Sequence, residues 1–244
     1  TGFFTTGMIT RQHLLGVTLA AGILLVHGVI DDKRALAPKW SILATVAASL
    51  VVVLFGIEVS KITNPLGSYF SISSFVSDIL VFMWIMLLIY TMKLLDGVDG
   101  LVTGIGTIAS FVIAFLALTT AYFQPDVALL AFIFASTLIG FLAFNFPPAT
   151  IFLGESGSVM IGFMIAVLAV IGGSKVATAL LVMGLPAIDM AAVIIHRMIR
   201  RNALAKADRL HLHFKLQDSG FKSETVIYLY WGVSLAFGIS TLIF

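Results

Sequence analysis

Long apolar runs recur from one end of this 244-residue chain to the other. A helix that crosses a bilayer needs about 20 predominantly apolar residues. Eight stretches of this character are bounded by charges, prolines or glycines: 13–30, 40–57, 72–92, 102–123, 127–146, 159–172, 176–195 and 226–244. The runs are continuously apolar, whereas the strands of a transmembrane barrel alternate. The sequence therefore predicts an all-α polytopic membrane protein with about eight transmembrane helices.

The composition excludes a water-soluble globule. Hydrophobic residues make up 60% of the chain and charged residues 11%, whereas soluble domains carry about 25% charged residues. No polar block is large enough for a second domain, so we expect a single integral membrane domain over residues 1–244. The absence of cysteine excludes disulfides, thiol nucleophiles and cysteine-held metals.

Charged residues divide unequally between the two sides that alternating spans define. Eleven of the 14 Lys and Arg residues fall on one side, and Arg11, Lys61 and Lys175 fall on the other. The positive-inside rule assigns the basic side to the cytoplasm. The same side receives Asp31, Asp32, Asp96, Asp99, Glu155, Asp208, Asp218 and Glu224. This concentration of carboxylates indicates a functional site that faces the cytoplasm.

Two pairs of aspartates stand at span ends on this side. Asp31 and Asp32 follow the first span, where they form either a solvated loop with the neighbouring cations or part of a site. Asp96 and Asp99 are three residues apart, a spacing that puts both side chains on one helix face, and each is followed by a glycine. An ordinary Asp-Gly turn explains one such pair, but two in tandem favour a functional role.

The run 145–158, between the fifth and sixth spans, carries Glu155 close to the start of a helix. Pro147 and Pro148 prevent a continuous helix here. Backbone N–H groups at a helix start favour anions. The run is either a plain loop between two helices or a site for an anionic ligand.

The run 196–213 is the longest polar segment and is strongly basic. A basic loop beside a membrane is commonly a positive-inside signal or a contact for anionic lipid. His211 and His213 could bind zinc, but no third ligand stands at a recognisable spacing. Arginine and histidine donors suit phosphate oxygens better.

Convergence of these four segments would create a need for positive charge. Repulsion among the carboxylates requires a counter-ion, and Mg²⁺ suits carboxylate and phosphate oxygens. Carboxylates, a divalent metal and a rim of Arg and His together indicate a diphosphate site. We therefore expect a membrane enzyme that takes a nucleotide diphosphate from the cytoplasm and a lipid phosphate from the bilayer.

At this point the chain resembles the polyprenyl-phosphate N-acetylhexosamine-1-phosphate transferase superfamily, which starts bacterial wall and surface-glycan synthesis on a lipid carrier. The resemblance covers essentially the whole chain. It rests on five elements in order: Asp31-Asp32, Asp96-Gly97-Val98-Asp99-Gly100-Leu101, the run 145–158, Pro186-Ala187-Ile188-Asp189 and Asp208-Arg209-Leu210-His211-Leu212-His213. The last element looks like the undecaprenyl-phosphate GlcNAc-1-phosphate branch.

The resemblance implies transfer of a sugar 1-phosphate, GlcNAc 1-phosphate foremost, from a UDP-sugar to undecaprenyl or another polyprenyl phosphate. The products are the lipid-diphospho-sugar and UMP. It implies a bacterial-type cytoplasmic membrane, with Mg²⁺ as cofactor and Mn²⁺ as the alternative ion. A net charge of +2 does not indicate a nucleic-acid partner, and a homodimer is left open.

Residue roles follow from the resemblance by position. It implies catalytic roles for Asp31, Asp32 and Asp96, metal binding by Glu155 and Asp96, nucleotide binding by Asp99, Asn145 and Phe152, and diphosphate or sugar binding by Lys93, Arg209, His211 and His213. Phe152 would stack on uracil.

The chain departs from the family pattern in three places. Glu155 stands where the family usually has Asp, and Lys93 stands where it typically has Asn. A cation at position 93 would pair with Asp96, or contact phosphate directly and weaken Mg²⁺ binding. The family's early helices have no counterpart, so we expect the chain to be N-terminally incomplete.

Three alternatives stay open. One is a phospho-MurNAc-pentapeptide transferase, and another is a homologue that has lost activity through the changes at Lys93 and Glu155. The third is a secondary transporter, because Asp78 and Asp189 stand within apolar spans and intramembrane acids often mark ion paths. No internal repeat supports a transporter.

Overall fold

The computed structural model describes residues 9–59, 61–63, 69–119, 123–172, 176–199 and 210–243. Its helices are α1 (Arg11–Arg34), α2 (Pro38–Leu54), α3 (Ser74–Leu95), α4 (Leu101–Leu118), α5 (Pro125–Asn145), α6 (Gly154–Ile171), α7 (Val176–Val182), α8 (Gly184–Ile199), α9 (Leu212–Asp218) and α10 (Ser223–Ile243). Two three-residue strands, β1 (Lys61–Thr63) and β2 (Tyr69–Ser71), pair antiparallel between α2 and α3.

Six helices in the described ranges are long and apolar enough to cross a bilayer: α1, α3, α4, α5, α6 and α10. The bent pair α7 and α8 passes the same test as one unit and makes a seventh candidate. Helix α2 is apolar but shorter, at 17 residues. These segments correspond to the eight predicted spans, so the prediction of a helical multi-pass membrane protein is confirmed.

The seventh predicted span is not one straight helix. The sequence predicts a continuous span over 176–195, but α7 and α8 meet at an angle of 76° around Met183. Gly184 favours helix poorly, and Pro186 has no N–H to donate to the preceding turn. The apolar pattern alone predicts the length of the segment and misses this bend.

Two helix ends differ from the predicted spans in a way that matters for the site. Helix α1 continues past residue 30, so Asp31 and Asp32 lie in its last turn, and the cations Lys33 and Arg34 favour the negative end of its dipole. Helix α6 begins at Gly154, five residues before the apolar run at 159. Polar residues in a terminal turn escape a search for apolar runs, which explains both differences.

Helix α6 lies between α1, α3 and α4, and α4 also packs against α5 and α10. Fully buried apolar side chains such as Ile85, Leu88 and Phe163 fill this core. Exposed apolar side chains such as Leu15 on α1 and Ile133 on α5 suit contact with lipid.

A glycine allows α1 and α6 to approach closely. A Cβ atom at Gly28 would lie 2.4 Å from the Cα of Ser156, so no larger residue fits without movement of the backbone. This approach brings the C-terminal end of α1 to the N-terminal end of α6, where the acidic residues lie.

Candidate active site

Asp32, in the last turn of α1, caps the first turn of α6. Its Oδ1 accepts a hydrogen bond from the Glu155 backbone N–H at 2.7 Å. Its Oδ2 accepts from the Ser156 backbone N–H at 3.2 Å and from the Ser156 hydroxyl at 2.6 Å. A carboxylate at a helix N-terminus satisfies otherwise unpaired N–H groups and the positive end of the dipole. Asp32 therefore connects the end of α1 directly to the run 145–158, which carries Glu155.

Asp31 accepts its hydrogen bonds from the residues that directly follow α1. Its Oδ1 accepts from the backbone N–H of Leu36 at 2.5 Å, and its carbonyl oxygen accepts from the Ala35 N–H at 2.8 Å. Successive helical residues point about 100° apart. The two adjacent aspartates are thus not equivalent: one organises the turn after α1, and the other reaches across to α6.

Lys93, near the C-terminal end of α3, forms an ion pair with Glu155 Oε1. The Lys93 Nζ also donates to the Ser41 hydroxyl at 2.7 Å, and that hydroxyl donates to Glu155 Oε1 at 3.1 Å. The Lys93 and Glu155 side chains are 23% and 17% exposed, so the pair is partly shielded from water. The sequence offered Asp96 or a phosphate as the partner of Lys93; in the structure its carboxylate partner is Glu155.

Asp96 follows α3 and has a strongly shifted acidity. Desolvation by the surrounding protein, followed by the negative charges of Glu155 and Asp99, raises the pKa of Asp96 to about 7. The charge of Asp32 also contributes to this raised pKa, and the nearby Ser158 hydroxyl opposes it. The side chain is also accessible to solvent. Asp96 is therefore close enough to three other carboxylates for their charges to raise its pKa, and it is open to solvent.

Asn145, at the end of α5, holds the loop that leads into α4. Its Oδ1 accepts from the Gly100 backbone N–H at 3.0 Å and from the Thr103 hydroxyl at 2.7 Å. Its Nδ2 donates to the Ile151 carbonyl at 3.1 Å, and the residue is 2% exposed. A nucleoside could contact this amide only by displacing these bonds. The role that the structure gives Asn145 is to fix two loops beside the site.

Asp189 on α8 is buried and anchors the start of α9. Its Oδ2 lies 2.9 Å from His211 Nδ1, and its Oδ1 accepts from the Leu212 backbone N–H at 2.8 Å. Because a carboxylate accepts, Nδ1 of His211 carries the hydrogen. The intramembrane acid that suggested an ion path therefore has a local partner.

The histidine segment meets the aspartate segment at Gly97. The rings of His211 and His213 stack with centroids 5.6 Å apart. A Cβ atom at Gly97 would lie 2.6 Å from Nε2 of His213 and 2.6 Å from the Phe214 ring. A larger residue at position 97 would fit only if these rings moved, which is a reason for Gly97 beyond turn formation.

Two predicted site residues are placed less tightly, and a third is not described. Phe152 precedes α6 and is 72% exposed, so its ring face is open to a ligand. Asp99 is half-buried and close enough to influence Asp96. Arg209 lies outside the described residues.

The described side chains do not form a ready-made site for a divalent cation. In the described ranges, no group of three or more His, Asp or Glu side chains is arranged to hold a metal ion. Glu155 Oε1 already accepts from an ammonium and a hydroxyl. Because the Lys93 ammonium already compensates the charge of this carboxylate, the residues as placed do not fit a divalent ion on Glu155, and that metal site stays a prediction from the resemblance.

Sequence reasoning missed two members of this network. Ser41 lies in the first turns of α2, inside a run that reads as purely apolar, and contacts residue 155 from 114 positions away. Ser156 is adjacent to Glu155, in a run that the sequence predicts as a loop or an anion site leading into a helix. The nearby helix start is the one signal that could have indicated Ser156, because serine side chains bond at helix N-termini.

Comparison with known proteins gives relatives over nearly the whole chain. The chain is 26% identical to a probable undecaprenyl-phosphate N-acetylglucosaminyl 1-phosphate transferase of Bacillus subtilis, over 99% of this chain and 69% of the relative. It is 29% identical to a decaprenyl-phosphate N-acetylglucosaminephosphotransferase of Mycolicibacterium smegmatis, over 98% and 66%. It is 28% identical to a phospho-N-acetylmuramoyl-pentapeptide-transferase of Staphylococcus haemolyticus, over 93% and 73%.

The chain thus spans about two thirds of the length of the first curated relatives it matches. A family model described as glycosyl transferase family 4 matches residues 14–173. That match includes Asp32, Lys93, Asp96, Asn145 and Glu155, and it covers more than half of the chain. On this evidence the chain belongs to glycosyl transferase family 4.

Proposed function

We propose that the protein transfers an N-acetylhexosamine 1-phosphate, GlcNAc 1-phosphate foremost, from a UDP-sugar to undecaprenyl or another polyprenyl phosphate. The lipid phosphate oxygen forms a bond to the sugar-bearing phosphorus of the UDP-sugar, and the bond from that phosphorus to the bridging oxygen breaks. The products are the polyprenyl-diphospho-sugar and UMP. Two of the relatives named above carry this kind of activity in their names.

One observation carries the proposal: four polar segments that are far apart in the sequence touch one another at one end of a membrane bundle. Asp32 accepts a hydrogen bond from the start of α6, and Glu155 forms an ion pair with Lys93. The pKa of Asp96 is raised by three other carboxylates, and Gly97 lies against the ring of His213. A site at a membrane border is where a water-soluble nucleotide and a lipid phosphate can meet.

The nucleophile does not need a general base. The second pKa of a phosphate monoester is near 6, so at pH 7 the lipid phosphate is mostly deprotonated. The three hydrogen bonds that Asp32 accepts favour a positioning role for it over proton transfer. A covalent aspartyl-phosphate would require Asp32 to leave these bonds, which disfavours that route for this residue.

Charge on the transferring phosphorus is stabilised by donors of the chain. Lys93 and Arg209 supply N–H groups suited to phosphate oxygens. His211 and His213 are 4% and 0% exposed, so their rings must move before they can do the same. Phe152 offers an exposed ring face for the uracil. Mg²⁺ is the cofactor that the resemblance implies, and no step described here depends on it.

The same proposal sets the orientation in the cell. The site faces the cytoplasm, where UDP-sugars are made, and the protein lies in a bacterial-type cytoplasmic membrane with its basic loops inside. A homodimer stays a prediction that this orientation neither requires nor opposes.

The test is UMP release by the purified full-length protein in detergent, with undecaprenyl phosphate and a panel of UDP-sugars. We expect release with at least one UDP-N-acetylhexosamine, and none when the lipid is omitted. Asp96→Asn should abolish it, whereas Asp126→Asn, at the far end of α5, should not. A folded protein that releases no UMP with any sugar would refute the proposal and favour the inactive homologue.

A further inference from the structure

The most unusual feature of the site is the positively charged side chain of Lys93, which lies among its carboxylates. Lys93 forms an ion pair with Glu155, and Ser41 donates to the same carboxylate oxygen while accepting from the ammonium. Ser41 is 5% exposed, and both charged side chains are largely shielded. Three helices, α2, α3 and α6, each contribute one member of this triad.

A shielded ammonium at this place has an electrostatic consequence. A divalent ion bound to Glu155 would stand a few ångströms from the Lys93 charge, and such repulsion is only weakly screened in a partly dry site. The oxygen Oε1 of Glu155 is also already occupied by two donors. A dication and Lys93 therefore compete for the same carboxylate.

The ammonium still has bonding capacity for a ligand. A lysine Nζ carries three N–H donors, and the described contacts of Lys93 account for two, to Glu155 and to Ser41. The third suits a phosphate oxygen. Lys93 can hold Glu155 and an oxygen of a nucleoside diphosphate at once.

We infer that Lys93 supplies from the chain itself the positive charge at Glu155 that a divalent cation would otherwise supply. The site then binds a nucleoside diphosphate without a metal ion on Glu155. The nucleotide part of this inference rests on the proposed function, but its consequence for the binding of a divalent cation does not.

The experiment measures binding of Mn²⁺ alone to the full chain in detergent by electron paramagnetic resonance. We expect Lys93→Gln to bind Mn²⁺ about tenfold or more tightly than the wild type, because one opposing charge is gone. Lys93→Arg should behave like the wild type. Lys222→Gln, which removes a charge from an exposed position, is the matched control and should not change the affinity.

A second readout is the binding of UDP in the presence of EDTA. The wild type should bind UDP equally well with EDTA and with Mg²⁺, and Lys93→Gln should bind it about tenfold or more weakly in EDTA. Equal Mn²⁺ affinity of wild type and Lys93→Gln, or loss of UDP binding by the wild type in EDTA, would overturn the inference.

A further variant covers the case in which Lys93→Gln does not fold. Ser41→Ala keeps both charges and removes the hydroxyl that joins them, so the ammonium is held less firmly. We expect its Mn²⁺ affinity to rise about threefold, and an unchanged affinity in a folded protein counts against the inference.

The two proposals fail in different ways. A protein that passes both binding tests but releases no UMP refutes the transfer and keeps the inference. A protein that releases UMP only when Mg²⁺ is added keeps the transfer and refutes the inference.

Discussion

The carboxylate of Asp32 accepts hydrogen bonds from the backbone and the side chain of Ser156, and a further one from the Glu155 N–H. The last turn of α1 is thereby fixed to the first turn of α6. The same turn of α6 presents Glu155 to Lys93 on α3. One aspartate thus sets the position of the acidic residue on which the charge balance of the site depends.

Replacement of Asp32 by alanine should destabilise the protein. It removes the cap of α6, which should lower the free energy of unfolding by about 1–2 kcal/mol. Asp31→Ala removes a single side-chain hydrogen bond in a partly buried turn and should cost less, about 0.5–1 kcal/mol. Thermal unfolding in detergent checks this, and equal melting temperatures for the two variants would contradict the cap.

The stability of the protein should depend on the ionisation of Asp96. Its pKa is about 7 in the folded protein and about 3.9 in an unfolded chain, so between these values the folded state holds a proton that the unfolded state has released. Stability therefore falls as the pH rises through this window. Asp96→Asn is always neutral and lacks this slope.

We accordingly expect the melting temperature of Asp96→Asn, relative to the wild type, to rise from pH 4.5 to pH 7.5 and then to level off. Asp126→Asn serves as the control, because it removes a carboxylate outside the acidic cluster. A constant difference between Asp96→Asn and the wild type at all pH values would show that the pKa of Asp96 is not raised.

Asn145→Ala should act mainly on stability. It leaves the Gly100 N–H and the Thr103 hydroxyl without their shared acceptor in a buried place, at a cost of about 2–4 kcal/mol. Thr103→Val removes one of the two bonds and should cost less. Denaturation by heat or guanidinium measures both. A stable Asn145→Ala protein that has lost only UDP binding would instead support direct nucleoside contact.

Asp189→Asn should change the hydrogen position on His211. The amide still accepts from Leu212, but its NH₂ group then faces Nδ1 and favours the tautomer with hydrogen on Nε2. Nitrogen-15 NMR of histidine-labelled protein reads the tautomer directly. We expect UMP release to fall by at least about tenfold, with recovery in Asp189→Glu; an unchanged tautomer would count against this positioning role.

The position of the acidic residues at one end of the helices could be predicted, because successive runs of spanning length place alternate segment ends at the same end of the bundle. Asp96 and Glu155 belong to different loops, and span counting places both at one border. Their partners could not be predicted. Ser41 lies inside an apolar run, and no spacing rule connects it to a residue on another helix.

The bend between α7 and α8 and the pairing of Asp189 with His211 were missed for a related reason. Hydropathy reports whether a segment is apolar, whereas a bend and a buried ion pair depend on packing between segments. The family resemblance included Asp189 in one of its matching elements, yet it assigned Asp189 no role and no partner. The structure supplies one through two hydrogen bonds.

The anchorage of His211 and Leu212 by Asp189 also bears on how the histidine segment tolerates change elsewhere in the chain. The two bonds attach residues 211 and 212 directly to α8. They do not run through residues 200–208, so substitutions or insertions there should leave the His211 ring where α8 holds it. A change at Asp189, one position on a different helix, should displace that ring more than a change at many positions nearer to it in the sequence.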